Sequence, residues 1–142
     1  LKFDGDKITG GEFIVDMTSL DVQDLAGRGK ERLEGHLRSD DFFSVDKHNS
    51  SSLKIKEVLP AEFSRITLDE KSFEINGDLT IKGITHPISF VLEPVASKSY
   101  VADLSFDRSK YDVRFRSGSF FENLGDRLIL DDIELSADLY FQ

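Results

Sequence analysis

The fold is decided by one stretch of alternating residues, Phe73-Glu74-Ile75-Asn76-Gly77-Asp78-Leu79-Thr80-Ile81-Lys82. Its odd-numbered residues are apolar apart from Gly77, and its even-numbered residues are polar, which is the period of a β-strand with one buried face. A shift of one residue would turn the apolar face toward water, so the register is well specified. A glycine in the middle of a strand indicates a bulge or bend, which a closing barrel needs.

The residues that follow predict a hairpin. A turn is predicted at 83–87, where Gly83 is expected to have a positive φ. The next strand carries Ile88, Phe90 and Leu92 on one face and ends at Pro94. The same alternation predicts further strands at 11–20, 53–59, 65–68, 100–106, 112–116 and 133–141. Roughly seven strands with one apolar face indicate an all-β fold, an antiparallel sandwich or barrel.

One segment departs from this period. Residues 24–37 place Leu33 and Leu37 four apart, which predicts a short helix whose three glycines limit its length and regularity. A turn then directs Phe42 and Phe43 onto the core. Because no linker, repeat or low-complexity tract interrupts the chain, residues 1–142 are predicted to form a single domain.

Composition excludes several classes of protein. With 18 Lys and Arg against 27 Asp and Glu, the formal net charge is −9. Nucleic acid is therefore not an expected partner, and anionic membrane surfaces are disfavoured. The absence of cysteine excludes disulfides and thiol nucleophiles. No apolar run approaches the roughly 18 residues of a transmembrane segment.

The search for a reactive site finds no catalytic residue, no metal site and no cofactor motif. His36, His48 and His86 lack any metal-binding spacing. His86 is interpreted as a turn residue and His48 as a surface loop residue. His36 follows Gly35 near the predicted helix end, where it would either fix the helix on the sheet or lie at the mouth of the barrel. Neighbouring acidic residues such as Asp131 and Asp132 point to opposite faces of a strand, so they are interpreted as solvated charge.

What remains is the apolar face itself, because small barrels either fill their interior with side chains or hold one ligand. Composition leaves both alternatives open. If a ligand is held, the residues that line it are the inward-facing ones of the strands: Phe13, Val15, Met17, Leu53, Ile55, Phe73, Ile75, Leu79, Ile81, Phe90, Leu92, Leu104, Phe106, Ile133, Leu135 and Leu139.

Two motifs resemble the YceI family of lipocalin-like proteins. The stretch Gly35-His36-Leu37-Arg38-Ser39-Asp40-Asp41-Phe42-Phe43-Ser44-Val45 is similar to that family's H-L-[KR]-S-x-D-F-F-x-V segment. The stretch Gly77-Asp78-Leu79-Thr80-Ile81-Lys82-Gly83-Ile84-Thr85-His86-Pro87-Ile88 is similar to its G-x-L-T-[IL]-[KR]-G-[VI]-T-x-P-[VI] hairpin. The order and spacing of these motifs fit nearly the whole chain.

The resemblance implies an antiparallel, lipocalin-like β-barrel of about eight strands with one short helix. It implies a non-enzymatic protein, periplasmic or secreted, that shelters an isoprenoid, fatty acid or similar lipid in an apolar tunnel. His36, Phe42 and Phe43 would have structural roles or lie at the mouth. The family's first strand or strands have no counterpart before Leu1. A homodimer is one alternative for the oligomeric state. Two rival functions stay open: a filled barrel that serves as a structural or partner-binding module in the bacterial envelope, and a lipid hydrolase or isomerase.

Overall fold

The computed structural model describes residues 1–5, 7–60 and 72–141. Within them lie one α-helix, α1 (Gly27–Arg38), and eight strands. The strands are β1 (Lys2–Asp4), β2 (Lys7–Gly10), β3 (Glu12–Asp16), β4 (Ser50–Pro60), β5 (Phe73–Ile81), β6 (Ile84–Ala96), β7 (Ser99–Asp107) and β8 (Asp132–Tyr140).

The strands form two antiparallel sheets. Strands β1 and β2 pair with each other, and the other six lie side by side in the order in which they occur in the chain, from β3 to β8. The six-stranded sheet is curled into a half-barrel. Its outermost strands are β3 and β8, and each pairs on one side only among the described residues. The prediction of an all-β antiparallel fold with one short helix is confirmed.

The pairing register brings the apolar residues of neighbouring strands onto one face. Ile75 lies opposite Phe90, and Phe73 lies opposite Leu92. Directly opposed side chains on one face are in contact distance, which is the main source of side-chain stabilisation in a sheet. These residues form two clusters. The first is centred on Ile75, Phe90 and Leu92, and the second on Leu79, Ile81, Phe106 and Tyr111.

The turn between β5 and β6 is tighter than predicted. It consists of Lys82 and Gly83, with φ of +52° and +74°, and β6 begins at Ile84. Two positive φ values in a two-residue connection match the twist of antiparallel strands. The expected positive φ at Gly83 is confirmed. The predicted turn over 83–87 is wrong, since His86 and Pro87 belong to the strand.

Gly77 marks a bulge, as expected, but the extra residue lies in the partner strand. The pairing of β4 with β5 shifts between Ile55 and Glu57, opposite Gly77. A Cβ at Gly77 would lie 2.7 Å from the Lys54 carbonyl oxygen. The glycine is therefore needed because the backbone of β4 approaches β5 closely at this point.

Three predicted elements differ from the structure. Helix α1 begins at Gly27 and ends at Arg38, later than the predicted 24–37. The strand predicted at 11–20 ends at Asp16, and Met17 begins a 3₁₀ turn. Residues 112–116 are not a strand: Asp112 and Arg116 have positive φ, and the carbonyls at 113 and 115 bind a side chain rather than a neighbouring strand. The strand predicted at 65–68 lies outside the described residues.

Candidate functional site

The residues predicted to line an interior lie mostly on the concave face of the sheet. Seven of them are buried, namely Ile55, Ile75, Leu79, Ile81, Phe90, Leu92 and Phe106. Another seven are half-buried, namely Phe13, Met17, Leu53, Phe73, Leu104, Ile133 and Leu139. All but Met17 belong to one of the two apolar clusters or pack against it. The sheet therefore brings these side chains onto one apolar surface that runs the length of the strands.

Two residues of the set, Val15 and Leu135, are exposed. Both follow the alternation of their strands. They lie on β3 and β8, the two outermost strands, where a neighbouring strand covers each side chain from one side only. Their exposure is therefore a consequence of the edges of the sheet rather than of an error in the predicted register.

One end of the concave face is closed by aromatic rings. Phe42 is buried in the second cluster, and its ring centroid lies 4.9 Å from that of Phe43. The His36 ring, in the last turn of α1, lies 4.3 Å from Phe115 and 5.8 Å from Phe42. These contacts fix the end of the helix against the sheet. Of the other histidines, His48 is half-buried, and His86 in β6 contacts the Lys110 carbonyl rather than lying in a turn.

A groove of about 530 Å³ follows one face of α1 and is lined by Gly29, Arg32, Leu33 and His36. The Nε2 atom of His36 is buried and has no hydrogen-bond partner among the described residues. A buried polar atom without a partner costs roughly 1–3 kcal/mol. His36 thus lies between the groove and the aromatic rings, with hydrogen-bonding capacity that the described residues leave unused.

The connection between β7 and β8 is held by a buried arginine that no sequence pattern singles out. The Arg108 side chain is fully buried and donates hydrogen bonds to four carbonyls, those of Val113, Phe115, Ile129 and Leu130, at 2.8–3.0 Å. Burial lowers the pKa of its guanidinium, and the nearby carboxylates oppose this shift. An isolated arginine after a strand ordinarily indicates a surface residue, so only its contacts reveal this role.

Asp131 completes this arrangement. Its carboxylate accepts hydrogen bonds from the hydroxyl groups of Ser117 and Ser119 and lies 3.8 Å from the Arg108 guanidinium. These hydroxyl bonds, with the Arg108 charge as a smaller cause, hold the pKa of Asp131 below its usual value. From the sequence alone, Asp131 is interpreted as solvated charge. The structure corrects that interpretation, because this carboxylate is only partly exposed and is bound by three side chains.

The described residues show neither a metal-binding cluster nor a membrane-spanning helix. No group of three or more His, Asp or Glu side chains in the described ranges could hold a metal ion. None of the helical segments there is both long and apolar enough to cross a bilayer.

A curled antiparallel sheet with an apolar concave face, closed at one end by a helix and aromatic rings, defines the class of lipocalin-like half-barrel proteins. A family model described as a YceI-like domain matches residues 1–141. The chain therefore belongs to the YceI-like family, as the two sequence motifs predicted. No curated protein is similar enough in sequence to count as a relative.

Solved structures with the same fold come from this family. BcnA of Burkholderia cenocepacia is 18% identical, with a TM-score of 0.72, and the alignment covers 99% of this chain and 80% of BcnA. A YCEI protein of Campylobacter jejuni is 19% identical, with a TM-score of 0.66, and the alignment covers 97% of this chain and 75% of that protein. At such identities the likeness shows a common fold.

Proposed function

We propose that this protein binds and shelters a long apolar or amphiphilic ligand, such as an isoprenoid or a fatty acid, on the concave face of its sheet. The observation that carries the proposal is the half-buried part of that face. Phe13, Leu53, Phe73, Leu104 and Leu139 pack against the core yet keep accessible apolar surface. An alkyl or isoprenyl chain laid along these side chains would cover that surface, and each buried methylene contributes roughly 0.8 kcal/mol.

The groove beside α1 would hold the polar end of such a ligand. The groove is open to solvent, and it combines Leu33 with the charged Arg32. A hydroxyl, carbonyl or carboxylate group that reached His36 Nε2 would relieve the cost of that buried, unpartnered atom. His36, Phe42 and Phe43 would then form the boundary between the polar end and the apolar chain.

A second candidate function is a filled barrel that serves as a structural or partner-binding module. The observation in its favour is the close packing of the two clusters. Ile75 and Leu92 are almost completely inaccessible, so part of the concave face is already filled by the protein's own side chains. The carrier is preferred because the half-buried residues extend across β3, β4, β5, β7 and β8 rather than forming one local patch.

The remaining parts of the proposal follow from the family assignment. We propose that residues 1–142 act as one domain, since one family model covers residues 1–141. We also propose that the protein carries out no reaction and that it acts in the periplasm or after secretion. The identification as a YceI-like protein supports these points, and a lipid hydrolase or isomerase would need reactive residues of which the sequence offers no pattern.

Leu104→Trp tests the carrier directly, because the larger side chain would cover part of the accessible apolar surface on which the ligand is proposed to lie. Titration with a fluorescent fatty acid, followed by displacement with unlabelled fatty acids and isoprenoids of increasing length, should show affinity rising by up to roughly fourfold per methylene until the face is covered. In the Leu104→Trp variant, the affinity should no longer increase with chain length for long ligands. The salt concentration should matter little, since the driving force is apolar burial.

Ser105→Trp is the matched control, since it places the same side chain next to Leu104 on the opposite, exposed face of β7. This variant should bind like the wild type. Native mass spectrometry of the purified protein is an independent test of ligand binding, because a retained lipid adds its mass to that of the protein. If the folded wild type shows no saturable binding at any chain length, the carrier proposal is wrong and the filled module takes its place.

A further inference from the structure

The open groove beside α1 is lined by one face of that helix. Gly29, Arg32, Leu33 and His36 have the spacing i, i+3, i+4 and i+7, which places them on the same side of an α-helix. Of these four residues, one is cationic and none is acidic. In the described part of the chain, Arg32 forms no ion pair. A group that enters the groove therefore meets a positive charge beside an apolar side chain.

The carboxylates of α1 lie on the other side of the helix. Successive residues of an α-helix are rotated by about 100°, so Glu31 and Glu34 point roughly 150° away from the lining residues. Glu34 is also bound already, because it accepts a hydrogen bond of 2.9 Å from the Val22 amide and lies 3.7 Å from the Lys30 ammonium group. These two acidic residues therefore do not neutralise the charge of Arg32 within the groove.

His36 supplies a second polar group at the same groove. Its buried Nε2 atom has no hydrogen-bond partner among the described residues. No hydrogen bond of Nε2 would therefore be lost if the ring turned this nitrogen toward a group in the groove. A buried polar atom gains most from a partner when its alternative is to have none.

Gly29 leaves one part of the groove wall without a side chain. A Cβ at this position would meet no atom within 4 Å, so packing among the described residues does not require a glycine here. Glycine is also less favourable than alanine inside a helix. What the absence of a side chain provides is room for a ligand group to lie against the backbone of α1.

We infer that this groove binds the carboxylate group of a long-chain fatty acid, with Arg32, His36 and Gly29 as the subsite. A carboxylate is a monoanion with two acceptor oxygens, which suits one guanidinium group and one imidazole nitrogen. A phosphate monoester carries about −1.5 to −2 at neutral pH and has three acceptor oxygens, which one cationic side chain matches poorly. The inference rests on the proposed carrier function and specifies the class of its ligand.

Three ligands with the same alkyl chain test the preference for a carboxylate. Isothermal titration at pH 8 compares dodecanoate, dodecanol and dodecyl phosphate. The wild type should bind dodecanoate about tenfold more tightly than dodecanol, since the alcohol lacks the charge that strengthens both contacts. It should also bind dodecanoate more tightly than dodecyl phosphate.

Arg32→Gln and Gly29→Leu test the groove itself. Arg32→Gln should weaken dodecanoate binding by about threefold to fivefold, as expected for an exposed ion pair, and leave dodecanol binding unchanged. Arg28→Gln is its matched control, because it removes the same charge one turn earlier, outside the groove. Gly29→Leu should weaken dodecanoate binding by occupying the groove. Its control is Gly35→Leu, since a Cβ at Gly35 also meets no atom within 4 Å but Gly35 does not line the groove.

Two substitutions at His36 separate its hydrogen bond from its ring contacts. His36→Phe keeps an aromatic ring against Phe115 and should weaken dodecanoate binding by about fivefold. Its midpoint of urea unfolding should not fall, because the substitution removes a buried polar atom that has no partner. His36→Gln, which keeps an N–H donor at the end of its side chain, should restore part of the affinity.

The outcomes for this subsite and for the carrier are distinct. Equal affinity for dodecanoate and dodecanol, with affinity still rising with chain length, would overturn the subsite alone. Tighter binding of dodecyl phosphate than of dodecanoate would also overturn it, as would a preference for dodecanoate that survives both Arg32→Gln and His36→Phe. A preference that these variants remove, in a protein whose affinity does not rise with chain length, would support the subsite and overturn the carrier. No binding of any of these ligands would overturn both.

Discussion

At the scale of single residues, glycines carry the most specific information about this fold. Gly83 has a φ of +74°, and a Cβ there would meet only ordinary contact distances, the nearest being 3.5 Å from His48. The requirement for glycine is therefore one of backbone conformation. Gly77 is the reverse case, because its backbone conformation is ordinary and the Lys54 carbonyl occupies the space of a side chain.

Gly83→Val should destabilise the protein by more than about 1 kcal/mol, because a β-branched residue is strained at positive φ. The measurement is the midpoint of urea unfolding, with Gly29→Val in α1 as a comparison for the general cost of removing a glycine. Gly83→Asn should restore most of the loss, since asparagine tolerates this conformation better than valine does. A midpoint for Gly83→Val equal to that of the wild type would contradict the proposed strain.

At the scale of elements, the alternation of apolar and polar residues predicted the strands, whereas segments without a repeating pattern were not predicted. The strands from β4 to β7 follow from alternation over many residues, and their register follows because one face is apolar. The path of residues 108–131 could not be predicted, because one buried arginine and one carboxylate decide it through contacts between residues distant in sequence. Val113 and Phe115 alternate like a strand, yet Arg108 binds their carbonyls and so takes the place of a neighbouring strand.

The same distinction applies to the candidate site, where some features could be predicted from the sequence and others could not. The residues of the apolar concave face were predictable because they are the inward-facing positions of those strands. The exposure of Val15 and Leu135 could not be predicted, because alternation assigns a residue to a face of the sheet but does not show which strand lies at an edge. The contact of His36 with Phe115 joins elements far apart in the chain, and no local pattern marks it.

Asp131→Asn should destabilise the connection between β7 and β8 in a way that depends on pH. The pKa of Asp131 is lower in the folded protein than in the unfolded chain, where it is about 3.9. Its contribution to stability is therefore fully present above about pH 4 and is lost as the pH falls through the folded value. The free energy of unfolding of Asp131→Asn should fall below that of the wild type by about 1–2 kcal/mol at neutral pH.

The measurement is urea unfolding of both proteins from neutral to acid pH. The difference between them should shrink on acidification, and Asp138→Asn on the exposed side of β8 serves as the control. A difference that stayed constant over this range would show that the charge of Asp131 contributes nothing, and that only the shape of its side chain matters.

At the scale of the whole molecule, the two ends of the sheet differ in character. One end carries the helix, the groove and the aromatic rings. The opposite end carries β1 and β2; Ile8 of β2 belongs to the first apolar cluster, and Leu1, which precedes β1, packs against it. In the proposed function this difference would give a ligand one orientation, with its polar group beside the groove and its apolar chain directed along the strands.

The order of the strands also has a consequence for the kinetics of folding. Two residues join β5 to β6, and two residues, 97–98, join β6 to β7, whereas residues 17–49 separate β3 from β4 and residues 108–131 separate β7 from β8. Closing a longer loop costs more chain entropy before any contact forms. The two hairpins β5–β6 and β6–β7, each with a two-residue turn, thus form the nucleus expected in the transition state, and the outermost strands should join the sheet after the rate-limiting step.

Stopped-flow measurements in urea test this order. Thr80→Ala removes a hydroxyl contact of 2.7 Å with Thr85 across the hairpin and should mainly slow folding, with a φ-value above about 0.5. Leu139→Ala in β8 should mainly speed unfolding, with a φ-value near zero. The reverse pattern would place the nucleus at the outer strands. If the φ-values follow the expected pattern, the β5–β6 hairpin that carries the family motif in the sequence would also be among the first parts of the native sheet to form.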